Sequence, residues 1–529
     1  MVNFFRLRAV LLRMFGRLCR HAGMALVTIV CLAAQCEAQS VDLVASGEPL
    51  RPAPVDPAIA KVLASISASA IGQTITTLVG FKNRNTLSSM ETDLPPGTGI
   101  TAAAEWIRGQ FESVSTACGG CLEVKTDTFT EPAQSGPHSR ILRPTTITNV
   151  YATLRGSDPQ QARRMYLVTG HYDSRATDVT DTHSLAPGAN DDSSGTAVSL
   201  ECARVLSRHR WPATLVFVAV AGEEQGLNGS KHLAALAKQE GWMLEGVLNN
   251  DIVGGDTTPG ETMQDKSLVR VFSESVPANA TPEETKRILA LGNESDSPSR
   301  ELARAIVAVG ATYMGSSLAP SLGSSLGASE TGDRGQRTGS GEKKAAAANG
   351  AHFTPVMVLR LDRYLRGGDH YSFNQEGFAA VRFTEWRENF DHQHQNVRVE
   401  NGKQYGDLIK YVDFHYVANV AKLNAATLAT LASAPGAPQN VRLETKNLDN
   451  NTTLKWLPPA GGQSGVTYEI LWRETRASDW QRFQRAPAGA GGAELSATLP
   501  ISKDNVVFGV RACNAAGDCS QAVAPVPER

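Results

Sequence analysis

Beyond its first forty residues the chain has no apolar run long enough to cross a bilayer, which takes about 20 residues, and no internal repeat. Neither charge is in excess. Lys and Arg number 51 against 53 Asp and Glu, a formal charge of −2, so nothing points to nucleic acid or an anionic membrane surface as a partner. Cysteine is sparse, eight in 529 residues, and Cys19, Cys31 and Cys36 fall in the leading segment. The pair Cys118 and Cys121 lacks the second ligand pair that a structural zinc knuckle needs. It is expected instead to close as a small disulfide loop, as is Cys513 with Cys519, in an oxidising compartment. Cys202 shares a helical face with Val198, Val205 and Leu206 and reads as a buried thiol. What remains is a chain of ordinary hydrophobic content, 41%, long enough for more than one domain.

The leading segment has its own pattern. Arg6, Arg8, Arg13, Arg17 and Arg20 precede the apolar run Met24–Ala34, and Cys36-Glu37-Ala38 places small residues where a signal peptidase reads. Residues 1–38 are expected to be an export signal. The run is short for an uncleaved anchor, and Gln35 before Cys36 is a poor lipidation context. A secreted or periplasmic protein with no membrane contact after cleavage is the expectation.

The chemistry concentrates between Arg163 and Asp251. Met165–Thr169, Thr214–Val220 and the shorter Gly246–Leu248 are continuous apolar runs, the pattern of strands buried on both faces. Each is followed by polar residues: His171-Tyr172-Asp173, Gly222-Glu223-Glu224 and Asn249-Asn250-Asp251. Between the first two, Gly188-Ala189-Asn190-Asp191-Asp192-Ser193-Ser194-Gly195 opens an amphipathic helix. In open α/β sheets the functional crevice lies at the carboxyl ends of the strands. Buried carboxylates cost several kcal/mol unless paired, and these motifs hold no Lys or Arg. A bound cation removes that cost, and His with carboxylate ligands suits zinc.

Taken in order, His-x-Asp, Gly-Ala-Asn-Asp-Asp-x-Ser-Gly, Gly-Glu-Glu-x-Gly-Leu-x-Gly-Ser and Asn-Asp resemble the co-catalytic di-zinc aminopeptidases, in particular the secreted bacterial leucyl aminopeptidase and aminopeptidase Y type. The resemblance covers roughly Ile59 to Ala434. It implies two Zn2+ per chain, with His171 and Asp251 on one, Asp191 bridging, and Glu224 with a later histidine on the other. It makes Glu223 the general base and puts Asp173 outside His171 as its orienting carboxylate. Asp369-His370-Tyr371-Ser372-Phe373 resembles the family's site-lining segment, so Asp369 is expected beside the ligands and His370 is not expected to be one. The last histidine falls in Phe390–Asn396; His394 is preferred on register, with His392 the alternative. The resemblance implies an aminopeptidase acting on a peptide or protein substrate. A carboxypeptidase of the same family is the nearest alternative. Single-zinc glutaminyl cyclases and non-catalytic receptor domains also resemble this fold, but Asp191, Glu223, Glu224 and Asp251 together argue against both.

Strands alternating with helices predict an α/β catalytic domain over residues 50–432, its central sheet mostly parallel or mixed and flanked by helices. Helical patterns are expected around Ala58–Ser69, Ala102–Phe111, Arg300–Val309 and Tyr411–Leu431. Half-buried strands are expected at Leu122–Phe129 and Thr148–Leu154, and a further strand at Pro355–Leu361. Val41–Pro57 reads as a loose lead-in. Residues 310–350 read as a low-complexity insertion rich in Ser, Gly and Ala; its Gly323-Ser324-Ser325-Leu326-Gly327 matches a serine-hydrolase pattern by letter only, with no strand leading into it. Ser433–Pro438 has linker composition. From there, apolar alternation in Leu454/Trp456, Tyr468/Ile470/Trp472 and Val506/Phe508/Val510 predicts a small all-β sandwich over 437–525. Pro438–Val441, Leu454–Trp456, Tyr468–Ile470 and Val510–Gly517 resemble a fibronectin type III module, a spacer or a contact for a polymer or protein.

Overall fold

The computed structural model describes residues 46–315, 352–460, 465–486 and 494–528. The expected export signal, most of the 310–350 insertion and its Gly323–Gly327 pattern lie outside them.

The apolar runs form the middle of an eight-stranded sheet. Its strands are β1 Leu122–Glu131, β2 Thr145–Leu154, β3 Arg164–His171, β4 Thr214–Val220, β5 Met243–Asn250, β6 Leu268–Ser273, β7 Thr354–Val358 and β8 Ala380–Glu385. Across the sheet they run β1-β2-β4-β3-β5-β8-β6-β7. The centre is parallel (β4 with β3, β3 with β5, β5 with β8), while β2 joins β4 and β6 joins β8 antiparallel. The sheet is therefore mixed. Successive residues point to opposite faces: Leu215, Phe217 and Ala219 pack into one apolar cluster with the helices Ser193–Leu206 and Phe414–Ser433, while Val216, Val218 and Val220 pack into another with Leu233 and Ala237 of helix Asn228–Gln239. Both faces are covered, which is why these strands lack alternation. For the same reason β2 is mostly buried rather than half-buried; β1, at the sheet edge, is largely exposed or half-buried, with only Leu122 and Asp127 buried.

Several elements differ from expectation. The helix expected at Ala58–Ser69 is two, Pro57–Ala64 and Ala68–Gly80, because the Ser67 side chain accepts the Ala70 amide and starts a new helix. The helix expected at Arg300–Val309 runs Pro298–Tyr313, so the first residues of the 310–350 stretch are helical. The strand after it is shorter, Thr354–Val358, and the chain's third apolar run is longer than its letters suggest, since Asn249 and Asn250 stay in the ladder. Among the described residues no single helix is long and apolar enough to cross a membrane.

After the last helix two four-stranded sheets face each other around Trp456, Tyr468, Ile470, Trp472 and Phe508. The lead-in is not loose: Glu48–Pro49 adds an edge strand to Arg482–Arg485. Nor is the segment of linker composition free. Ala434 and Pro435 are buried, and Arg164 Nη1 donates to the Ala434 carbonyl at 2.7 Å. The disulfides Cys118–Cys121 and Cys513–Cys519 are both present, and Cys202 is buried and free.

Candidate metal centre

The carboxyl ends of β3, β4 and β5 meet the start of helix Ser193–Leu206, and glycine makes the approach close enough. A Cβ on Gly195 would lie 2.0 Å from the Asn250 carbonyl. Asp192 caps that helix by accepting the Gly195 amide at 2.9 Å, and its other oxygen accepts the His171 amide at 3.0 Å. The strand end and the helix start are thereby fixed to each other, and Asp191 is held over β3. Asp407, arriving from far along the chain, accepts the amides of Asn190 and Asp191 and completes the turn.

His171, fully buried, points Nδ1 at Asp173 (Oδ1 at 3.3 Å) and Nε2 at Asp191 Oδ1 (3.2 Å) and Asp251 Oδ1 (3.9 Å). The second oxygen of Asp191 lies 3.0 Å from His394 Nε2, which is in turn 3.2 Å from Glu224 Oε2. Two triads result, His171/Asp191/Asp251 and Asp191/Glu224/His394, each offering three ligand atoms within 4.8 Å of one another. Asp191 belongs to both, one oxygen to each. The other such group among the described residues, Glu469 with Cys513 and Cys519, is not a site, because its sulfurs are joined in a disulfide.

Asp173 ties the centre together. While facing His171, it also accepts the Glu224 amide at 3.1 Å and the Glu223 amide at 3.4 Å. Glu223 is half-buried and belongs to neither triad; burial, with further pressure from neighbouring carboxylates, holds its pKa well above the ordinary value. Burial also pushes Asp369 up to about 7; its two oxygens have no hydrogen-bond partner among the described residues.

His392 and His370 go elsewhere. The His392 ring stacks on Tyr411 with centroids 3.9 Å apart and has Asp256 beside it at 3.6 Å. His370 Nε2 faces the Leu361 carbonyl at 2.9 Å. Of the three histidines in this part of the chain, His394 is the one brought to the carboxylates.

The donor set fits zinc: imidazole nitrogen and carboxylate oxygen, with Asp173 behind one imidazole. His171 Nε2 and the second oxygen of Glu224, Oε1, are buried without a hydrogen-bond partner, a costly arrangement unless something binds them. The electrostatics show the same demand for positive charge. Burial opposes charge on His394, yet Glu224 and Asp191 outweigh it and raise its pKa to about 11; Asp173 and Asp191 likewise carry His171 well above its ordinary value. Burial alone would raise Asp191, but the two imidazoles hold it well below the usual carboxylate range.

Two buried arginines escaped the sequence reading. The acidic motifs hold no cation of their own, but Arg382, inside β8, reaches Asp251 Oδ1 at 2.9 Å and Asp362 at 3.1 Å. An arginine within the apolar run Phe378–Phe383 was the available signal. Arg84 binds the carbonyls of Tyr172, Pro187 and Gly188 and the Ser193 hydroxyl, bracing the segment after His171 against the one that carries Asp191. Nothing local marked it.

A family model described as peptidase family M28 matches residues 149–298, the stretch that holds all the triad residues except His394. A protein of Leptosphaeria maculans described as a "Probable zinc metalloprotease" is 41% identical over 478 residues, covering 90% of this chain and 99% of its own length. One of Pyricularia oryzae with the same description is 41% identical over 475 residues, 88% of this chain and 84% of its own. Among solved structures, the LapA aminopeptidase of Legionella pneumophila aligns with a TM-score of 0.42 at 18% identity, over 72% of this chain and 76% of that one.

Proposed function

Because the chain belongs to peptidase family M28, we propose that it is a secreted zinc-dependent exopeptidase, an aminopeptidase that removes N-terminal residues from peptides. The observation that carries this reading is Asp191, one of whose oxygens faces His171 and the other His394. That is the arrangement a carboxylate needs to bridge two cations. His171 and Asp251 would hold one zinc and Glu224 and His394 the other. Zinc bound there would supply Lewis acidity for the scissile carbonyl and lower the pKa of water from about 15.7 towards ~7.

The chain's own residues do the rest. Glu223, outside both triads and raised by burial, accepts the proton of the attacking water and passes it to the leaving amine. Asp173 accepts at His171 Nδ1, which directs Nε2 to the ligand position, and through the Glu223 and Glu224 amides it fixes the base relative to the ligands. Arg382 fixes the Asp251 carboxylate from behind. Export is supported by the two disulfides, which suit an oxidising compartment. The terminal sandwich is read as a fibronectin type III-like module that contacts a polymer or protein.

Zinc analysis and a pair of substrates test the reading. Two zincs per chain and hydrolysis of a free peptide but not its N-acetylated form are expected. Hydrolysis of both would make it a carboxypeptidase, and one zinc with cyclisation of N-terminal glutamine would make it a glutaminyl cyclase.

A further inference from the structure

Beside the centre, Arg270, Arg363 and Arg366 all converge on one carboxylate, Glu388, at 3.0, 2.7 and 2.8 Å. One carboxylate is thus shared by three guanidiniums. Arg363 is also engaged by Asp362 and the Gly367 carbonyl, and the Arg270 Nε–H by the Glu385 carbonyl. Arg366 differs. Nη1 binds Glu388 and Nη2 binds Gln393 Oε1 at 3.2 Å, but its Nε–H has no partner among the described residues, and the side chain is 30% exposed.

Its position is defined from two sides. Gln393 adjoins His394. Two residues beyond Arg366 is Gly368, where a Cβ would lie 3.2 Å from Asp251 Oδ2. The guanidinium is thus held by the neighbour of one triad's histidine, on a segment that passes the other triad's aspartate two residues later, and the charges of Asp191 and Asp251 act on it. One apolar neighbour is exposed beside it: the Phe390 ring, 5.6 Å away, is 65% exposed.

We propose that Arg366 binds a carboxylate of the substrate at the mouth of the centre, with Phe390 against the adjoining apolar part. This rests on the peptidase reading above. A planar guanidinium held in place by Glu388 and Gln393 has little rotamer entropy left to lose, and its free donors match a carboxylate. The carboxylate has two sources, an acidic side chain or the free C-terminus of a short peptide.

The zinc-loaded, full-length enzyme would be assayed on Leu-Gln, Leu-Gln-amide and Leu-Glu-amide. Comparing the first two isolates the terminal carboxylate, and comparing the last two isolates the side chain. At least one carboxylate-bearing member should exceed its neutral counterpart in kcat/KM by roughly tenfold or more, through KM, the worth of one charge-assisted hydrogen bond. Arg366→Gln should collapse that ratio, and Arg366→Lys should restore part of it. Equal kcat/KM within both pairs for the unmodified enzyme overturns the proposal whatever the variants do, as does a preference that survives in folded Arg366→Gln. No turnover of any of the three, at full zinc content, would overturn the peptidase reading itself.

Discussion

Trp480 of the terminal sandwich donates its indole N–H to Glu301 Oε2 of the catalytic body at 3.0 Å, and both side chains are buried. Around them Arg473 of the sandwich pairs with Asp296 at 2.6 Å, and Arg304 pairs with Glu301 and donates to the Ser478 carbonyl. A linker rich in Pro and Gly suggests domains that move independently; these contacts describe a joint that is buried and charged. Removing one partner of a buried ionic cluster leaves the other uncompensated.

Trp480→Phe, which keeps the aromatic ring and deletes the donor, should cost about 1–3 kcal/mol, the price of an unsatisfied buried acceptor. A chain ending at Ala434 should lose more, since it exposes Asp296, Glu301 and Arg304 together. Urea unfolding checks both. If the truncated chain unfolds at the same urea concentration as the full one, the sandwich is only tethered.

Glu223→Gln should retain two zincs, because Glu223 stands outside both triads, and should lower kcat by roughly 10²–10⁴. Metal analysis alongside single-turnover rates decides the point. Loss of zinc in this variant would mean that Glu223 is a ligand as well as a base.

The three histidines of the later segment should separate cleanly. His394→Ala should lose one zinc and nearly all activity. His370→Ala should keep both metals. His392→Ala should also keep both but be less stable by about 0.5–1.5 kcal/mol, the worth of an aromatic pair beyond its area, since it removes the stack on Tyr411. Zinc retained at two per chain in His394→Ala would remove the proposed ligand set.

How far the sequence reaches depends on how local a cause is. The runs in β3 and β4 were readable because burial on both faces abolishes alternation, and that shows in the letters themselves. His171, Asp191, Glu223, Glu224 and Asp251 stood out as candidates because each ends or follows a strand or precedes a helix, where a sheet collects its chemistry. Arg382 and Arg84 were not, because the contacts that tie them to the site, Arg382 to Asp251 and Arg84 to Pro187 and Gly188, span about a hundred residues or more and are made only by the fold. The joint at Trp480 was hidden for a further reason. The composition of Ser433–Pro438 reports what that segment does alone, whereas its conformation is set by Arg164 reaching the Ala434 carbonyl.

Glu274 offers a test of electrostatics away from the metal centre. It follows β6 directly, accepts the Ala278 amide at 2.8 Å, and takes hydrogen bonds from Ser299 and Asn374, each at 3.2 Å. Burial, opposed by these bonds and by Arg300, raises its pKa from 4.5 to about 7. The folded state therefore holds this proton more tightly than the unfolded chain does. Between these two values the unfolded carboxyl is ionised and the folded one is not, so stability falls as pH rises through the window. The contribution is fully present below about pH 4.5 and lost above about pH 7, on the order of 1–3 kcal/mol. Glu274→Gln cannot ionise, and comparison with it cancels every other titrating group. The wild type's stability relative to this variant should be greater at pH 5 than at pH 8.5, as measured by urea unfolding at both. A difference that stays constant between them would show that Glu274 is ionised throughout in the folded protein.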